Sequence, residues 1–242
     1  MIKTFLINLR RNPERMRMVR NHLQALGIEF TRVEAVDGNA MSLKERNIHV
    51  RRFRARLVRL NKLRPGEIGC ALSHLKIYRM MVENQITKAL ILEDDVELTV
   101  DAVEHINAVE KWMNADKPQA VLFTRKTHAV FSDRRGENKI VRVSRAVDTD
   151  AYMITLSAAR NILSVNYPII SQADSWTRWN RLHVLDVFRL SPGISRQRRE
   201  QFASEILIQK IPYLRGFRWF WWKCVRVPSV IIDWLWWRLL GN

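Results

Sequence analysis

Residues 88–98 read KALILEDDVEL. The apolar run 89–92 has the length of a buried strand, and it delivers three consecutive acids, Glu93, Asp94 and Asp95. Adjacent like charges repel, and taking them out of water costs on the order of several kcal/mol per ion. Three acids at the end of a strand therefore call for a positive partner, and a divalent cation is the simplest. Open α/β sheets place ligands at the carboxyl ends of their strands. A hard cation such as Mg²⁺ or Mn²⁺ takes oxygen ligands there, from one or two carboxylates and from substrate phosphates. Alternation sends Glu93 and Asp95 to one side and Asp94 to the other. Asp95 is then expected to touch metal most directly, with Glu93 or Asp94 acting through water or sugar. The competing reading is a solvated strand end or helix start, where acids favour the dipole.

On the amino-terminal side, residues 2–9 form an apolar run of strand formers. The turn Arg10-Arg11-Asn12-Pro13 follows, then a helix over 14–26 stopped by Gly27. Residues 28–36 read as a second strand closed by Asp37-Gly38. Strand, helix, strand implies a parallel unit. Residues 44–64 are crowded with basic side chains, opposed only by Glu45. After Pro65-Gly66, the residues Ile68, Ala71, Leu72, Leu75, Tyr78 and Val82 recur at helical spacing. On the carboxyl-terminal side the pattern predicts a helix over 103–112 and a strand over 120–123. A hairpin tip at 136–139 returns as a strand over 140–147. A strand over 151–155 precedes a helix that begins at Ser157 and is stopped by Pro168. The stretch after Ser191 is polar and basic through Glu200, and there is no internal repeat.

The chain has 242 residues, 47% of them hydrophobic, enough for one medium domain with an appendage. A net charge of +17 predicts attraction to polyanions. Its two cysteines, Cys70 and Cys224, fit no metal spacing or disulfide framework, which favours a reducing compartment. The opening MIKTFLINLRR is too short in apolar residues for a signal peptide and reads as a strand, so a cytoplasmic protein is expected. From Phe217 the character changes to FRWFWWKCVRVPSVIIDWLWWRLLGN. Arg226, Pro228, Asp233 and Arg238 break any membrane span. Six tryptophans among basic residues suit interfacial helices on anionic inner-membrane lipid. The belt 44–64 would add about 1 kcal/mol per cation near that surface. The alternative is a tail packed into the domain or a dimer interface; the oligomeric state is open. The expected division is a domain over 1–214 and a membrane-interface tail over 215–242.

Four pieces in order, FLINLRRNPER, VEAVDG, GEIGCALSHLKIYRMM and ALILEDDVEL, resemble family 25 of the glycosyltransferases, the lipooligosaccharide and lipopolysaccharide sugar transferases of Gram-negative bacteria. The likeness is looser beyond the first hundred residues, at DAYMIT and YPIISQADSW. The resemblance implies a GT-A-like, Rossmann-type mixed sheet flanked by helices, here with the basic, tryptophan-rich tail. It also implies inverting transfer of a hexose, galactose in the best-known members, from a UDP-sugar to a membrane glycolipid acceptor. By position, Asn8, Leu9, Arg10 and Arg15 would lie at the nucleotide end of the first strand, with Asp37 and Gly38 closing the same pocket. Glu67, Gly69, Ser73 and His74 would line it from the second helix, and Glu93, Asp94 and Asp95 would hold metal and sugar. Family members commonly carry a glycine and a histidine before the AY strand, where this chain has Asp148-Thr149-Asp150. The aspartate of their later motif falls at Asp174.

Sugar transfer needs charge stabilisation on a departing diphosphate. It also needs a carboxylate to take the acceptor's proton. Asp174 is the expected base, with Asp150 and Glu97 as alternatives; Asp174 also suits a loop acid capping the next helix. Three rival classes remain. A nucleic-acid binder fits the charge but not the acidic triplet, and the basic stretches match no binding motif. A glycoside hydrolase would need two carboxylates but no nucleotide or metal. An inactive scaffold of the same family is favoured only by the altered residues 148–150.

Overall fold

The structure is a computed structural model that describes residues 2–51, 63–124, 139–143 and 145–198. The elements in chain order are β1 (Lys3–Asn8), α1 (Pro13–Ala25), β2 (Thr31–Glu34), α2 (Leu43–His49), α3 (Pro65–Glu83), β3 (Lys88–Glu93) and β4 (Val96–Leu98). They continue with α4 (Ala102–Trp112), β5 (Gln119–Leu122), β6 (Lys139–Arg142), β7 (Ala151–Thr155), α5 (Leu156–Asn166), α6 (Trp176–Arg181), β8 (Asp186–Ser191) and β9 (Ser195–Gln197).

Seven strands form one mixed sheet in the order β2-β1-β3-β7-β5-β8-β6. β1 lies parallel to both β2 and β3, and β5 parallel to β8. β7 runs antiparallel between β3 and β5. The sheet is central because its strands are apolar on both faces. Phe5, Ile7, Ile91, Tyr152 and Ile154 pack on the side covered by α3 and α5. Leu6, Leu90, Leu92 and Met153 pack on the side covered by α1 and α4.

Local chemistry accounts for the helices that bracket the first strands. α1 starts with Pro13 at its first position, where a missing N–H costs nothing. It ends before Gly27, whose φ of +68° lets the chain reverse, while Ile28 N–H donates to Leu23 O at 2.9 Å. α3 likewise starts on a proline, Pro65. Glu67 closes a capping box by accepting from the Arg64 backbone N–H at 2.7 Å.

Strand direction positions the site. Because β7 is antiparallel to β3, its start lies beside the end of β3: Ala151 pairs with Leu92, and Glu93 N–H donates to Asp150 O at 2.9 Å. The segment 148–150 thus arrives next to the acidic triplet.

Several expectations need correction. The strand expected over 140–147 stops at Arg142. Val143 still donates its N–H to Val187 O of β8 at 3.0 Å, but from its carbonyl onward the backbone bonds side chains of α6. Asn180 Nδ2 donates to Val143 O (2.7 Å), Ala146 N–H donates to Thr177 Oγ1 (3.0 Å), and Trp176 Nε1 donates to Asp148 O (2.8 Å). The polar stretch after Ser191 contains β9, which pairs with β4 in a separate two-stranded ribbon. β8 was not expected, and α6 only as an unbounded helix following Asp174. The hairpin tip at 136–138, residues 52–62 of the basic belt and the tail 215–242 lie outside the described residues. Among the described residues, no helix is long and apolar enough to cross a membrane.

Candidate active site

Two backbone segments meet where β2 hands over to α3, and only glycine permits the meeting. A Cβ on Gly38 would stand 1.8 Å from Pro65 O, and one on Gly69 would stand 2.4 Å from Val36 O. Ser73, one turn further along α3, locks the contact. Its hydroxyl donates to Gly69 O and accepts from Val36 N–H, both at 2.8 Å. This junction forms one wall of a cavity of about 580 Å³. The carboxyl ends of β1 and β3 form its floor, and segments 148–149 and 172–174 complete it.

All three acids line this cavity. Alternation is broken because the strand ends at Glu93 and a turn begins at Asp94; the expected split between two sides of the sheet does not occur. Each acid has its own surroundings. Asp94 accepts from Asn8 Nδ2 at 2.7 Å and from Arg15 at 3.3 Å. The Asn8 amide is itself fixed by Arg32, which donates to its Oδ1 at 2.8 Å. Burial pushes Asp94 upward in pKa, and the Asn8 bond and Arg15 charge offset only part of that. Glu93 accepts from the Thr149 hydroxyl and lies 3.3 Å from His74 Nε2. Burial pushes Glu93 up too, but the His74 and Thr149 bonds and the His74 and Arg15 charges outweigh it, so the net displacement is downward. Asp95 differs from both. Its Oδ1 is buried with no hydrogen-bond partner among the described residues. Burial, then the charges of Glu93 and Asp94, push its carboxyl to about 7.

His74 is buried, with Nδ1 2.6 Å from the Tyr152 hydroxyl, which lies 2.7 Å from that of Tyr78. Cys70 lines the cavity one helical turn before His74. Burial raises its thiol pKa, and the charges of Glu93, Asp174 and Asp95 raise it further. Glu67 accepts from Gln172 Nε2, which ties the segment carrying Asp174 to α3 and brings Asp174 onto the cavity wall.

Most of the nominated residues converge here: Asn8, Leu9, Arg15, Asp37, Gly38, Glu67, Ser73, His74, Asp174 and the acidic triplet all line the cavity. Gly69 acts behind the wall through its contact with Gly38. Arg10 is exposed and absent from the lining; its neighbour Arg11 stands there instead, ion-paired with Asp37. Of the alternative bases, Glu97 sits on β4 paired to Arg196 at 2.7 Å. Asp150 is buried beneath the site, accepting from Ser195 Oγ at 2.6 Å. Neither lines the cavity. Sequence reasoning missed Arg11, Cys70, Thr149, Gln172 and Gln197 as lining residues. Only Cys70 carried a signal, its i, i+4 spacing from His74.

The mixed sheet between helical layers is consistent with a GT-A-like fold. Comparison with known proteins places the chain more closely. Residues 1–177 match the family model described as "Glycosyltransferase family 25 (LPS biosynthesis protein)", and the chain belongs to that family. A Drosophila melanogaster protein, "Glycosyltransferase 25 family member", is 32% identical over 171 residues, covering 67% of this chain and 28% of that one. The human "Procollagen galactosyltransferase 2" is 29% identical over 175 residues, 67% of this chain and 27% of that one. A mimivirus "Procollagen lysyl hydroxylase and glycosyltransferase" is 28% identical over 185 residues, 68% of this chain and 20% of that one. The chain thus spans about a quarter of the length of the first curated relatives it matches.

Proposed function

We propose that this protein is an inverting glycosyltransferase. It moves a hexose, galactose, from a UDP-sugar to a lipooligosaccharide or lipopolysaccharide acceptor on the cytoplasmic face of the inner membrane. Family membership supports the reaction class. The name of the human relative supports galactose, and the family's description supports the acceptor. The observation that carries the reading is the buried, unpartnered Oδ1 of Asp95, a residue lining a cavity whose other acids are already engaged.

That oxygen fits a hard divalent cation, Mn²⁺ or Mg²⁺. Asp95 would hold it directly, and Glu93 and Asp94 would support it through water or sugar. When bound, such an ion supplies charge stabilisation to the diphosphate that departs from the anomeric carbon. The protein's own groups do the remainder. Arg15, fixed against Asp94, and Arg11, fixed against Asp37, put positive charge on the cavity wall where phosphate oxygens would bind. The close contact of Gly38 with Gly69 keeps that wall rigid. Asp174 takes the proton of the acceptor hydroxyl as it attacks, which contributes roughly 10²–10⁴-fold. The basic, tryptophan-rich segment 215–242 holds the enzyme on anionic lipid, where a glycolipid acceptor resides.

The test is a transfer assay with UDP-galactose, a lipooligosaccharide core acceptor and Mn²⁺. Product is expected to form, to vanish on chelation, and to fall at least about a hundredfold in Asp95→Asn. Undiminished product in that variant, or no product from any UDP-hexose, would overturn the reading.

A further inference from the structure

Cys70 and His74 are four residues apart on α3 and share one face of it. Glu93 ends β3 directly opposite. One donor atom from each, a thiol sulfur, an imidazole nitrogen and a carboxylate oxygen, lie within 4.8 Å of one another. His74 Nε2 and Glu93 Oε1 are already 3.3 Å apart. That is close to the edge of a tetrahedron built with bonds of about 2.1 Å, roughly 3.4 Å.

The groups behind the imidazole matter as much. Nδ1 meets Tyr152, and Tyr152 meets Tyr78, in a buried chain of hydroxyls. A phenol can donate or accept, so the chain can run outward from the ring. Nδ1–H then donates to Tyr152, Tyr152 donates to Tyr78, and Nε2 turns its lone pair toward Cys70 and Glu93, a cation taking the place of the Nε2–H that otherwise bonds Glu93. Metal-binding imidazoles depend on such outer hydrogen bonds for their tautomer and orientation.

The donor set differs in kind from the oxygen-only position at Asp95. Thiolate and imidazole select zinc-like cations, whereas carboxylate with water selects magnesium and manganese. We propose that Cys70, His74 and Glu93 form a second cation site that takes zinc, with its fourth coordination position open to the cavity. The proposal goes beyond the sugar-transfer reading and does not depend on it. Three protein ligands with one open position describe an exchangeable site, in contrast to a closed structural one. Occupancy has a consequence for its neighbour: it engages Glu93 and sets a positive charge beside Asp95, so zinc and manganese oppose one another.

Cobalt(II) reports this site independently of any activity. It is titrated into reduced, full-length protein carrying Cys224→Ser, which leaves Cys70 as the single thiol. The expected result is one bound equivalent, with a sulfur-to-cobalt charge-transfer band in the near ultraviolet that one equivalent of zinc bleaches. Cys70→Ser removes the band, and His74→Gln weakens zinc binding at least tenfold. Asp95→Asn retains the band, even where it abolishes manganese binding. Circular dichroism of each metal-free variant establishes that it is folded, and His74→Gln answers the question should Cys70→Ser fold poorly. Absence of the band in the parent protein, its survival in Cys70→Ser, or its loss in Asp95→Asn overturns the proposal.

Discussion

Asp95 titrates near neutrality because it is buried among carboxylates, and proton and cation compete for the same oxygens. Apparent Mn²⁺ affinity is therefore expected to fall about tenfold per pH unit below about 7 and to level off above it. Calorimetric titrations between pH 6 and 8 check this, and a pH-independent affinity would remove Asp95 from the ligand set. Asp150 makes a different prediction. Burial, opposed in part by the Ser195 bond, sets its folded pKa at about 6, above the unfolded value of about 3.9. The folded state thus binds that proton more tightly. The resulting stability is fully present below the unfolded pKa and is lost as pH rises through about 6. Above that pH the ionised group costs on the order of 3 kcal/mol. Asp150→Asn is expected to raise the melting temperature at pH 7.5 and to change it little near pH 4; thermal unfolding of both proteins across that range checks the sign. At this scale the sequence was legible where a residue follows a regular element and illegible at turns. Asp95 lines the cavity, but the alternation that singled it out as the most direct metal contact is cancelled by the turn at Asp94. Arg10 and Arg11 stand in a loop with no periodicity to choose between them, and Arg11, not Arg10, is the one that lines the cavity.

At the scale of elements, the junction between the loop after β2 and α3 is where substitution should be felt most. Gly69→Ala drives a methyl into the Val36 carbonyl and the Gly38 backbone, atoms that cannot rotate away. A loss of about 3 kcal/mol is expected from overpacking of this kind. Ser73→Ala leaves the Val36 N–H without its partner, which should cost about 1–2 kcal/mol. Chemical denaturation of the two variants tests both figures, and a Gly69→Ala protein of wild-type stability would contradict the close approach. Elements with a strong apolar pattern were readable in advance: β1, β3, β5 and β7 as runs, α1, α3, α4 and α5 from their repeat. Others were not. β8 reads DVFRLS and is buried only at Val187 and Leu190, a spacing of three that fits a helix face and not the alternation of a strand. β4 and β9 are three residues each. α6 has six residues, too few for a repeat, although Trp176 and Trp179 are its buried anchors. The β-rich composition of 140–147 suggested a full strand, but its second half bonds Thr177 and Asn180, partners more than thirty residues away.

For the whole molecule the dominant quantity is the charge of +17. If the segment 215–242 lies on anionic lipid, the full chain should sediment with vesicles containing phosphatidylglycerol and release as salt rises, because exposed charges are screened over about 8 Å at physiological ionic strength. Deleting that segment should lower the bound fraction at least tenfold, and equal binding by both forms would assign the affinity to the rest of the chain. Arg198, the last described residue, donates its backbone N–H to the carbonyl of Asp95 at 2.8 Å, and the ribbon of β4 and β9 precedes it. The end of the described chain is thus tied to the acidic turn itself. Were segment 215–242 docked on lipid and Asp95 holding a cation, as proposed, tension from the first would be felt at the Asp95 peptide and so at the carboxylate that holds the second.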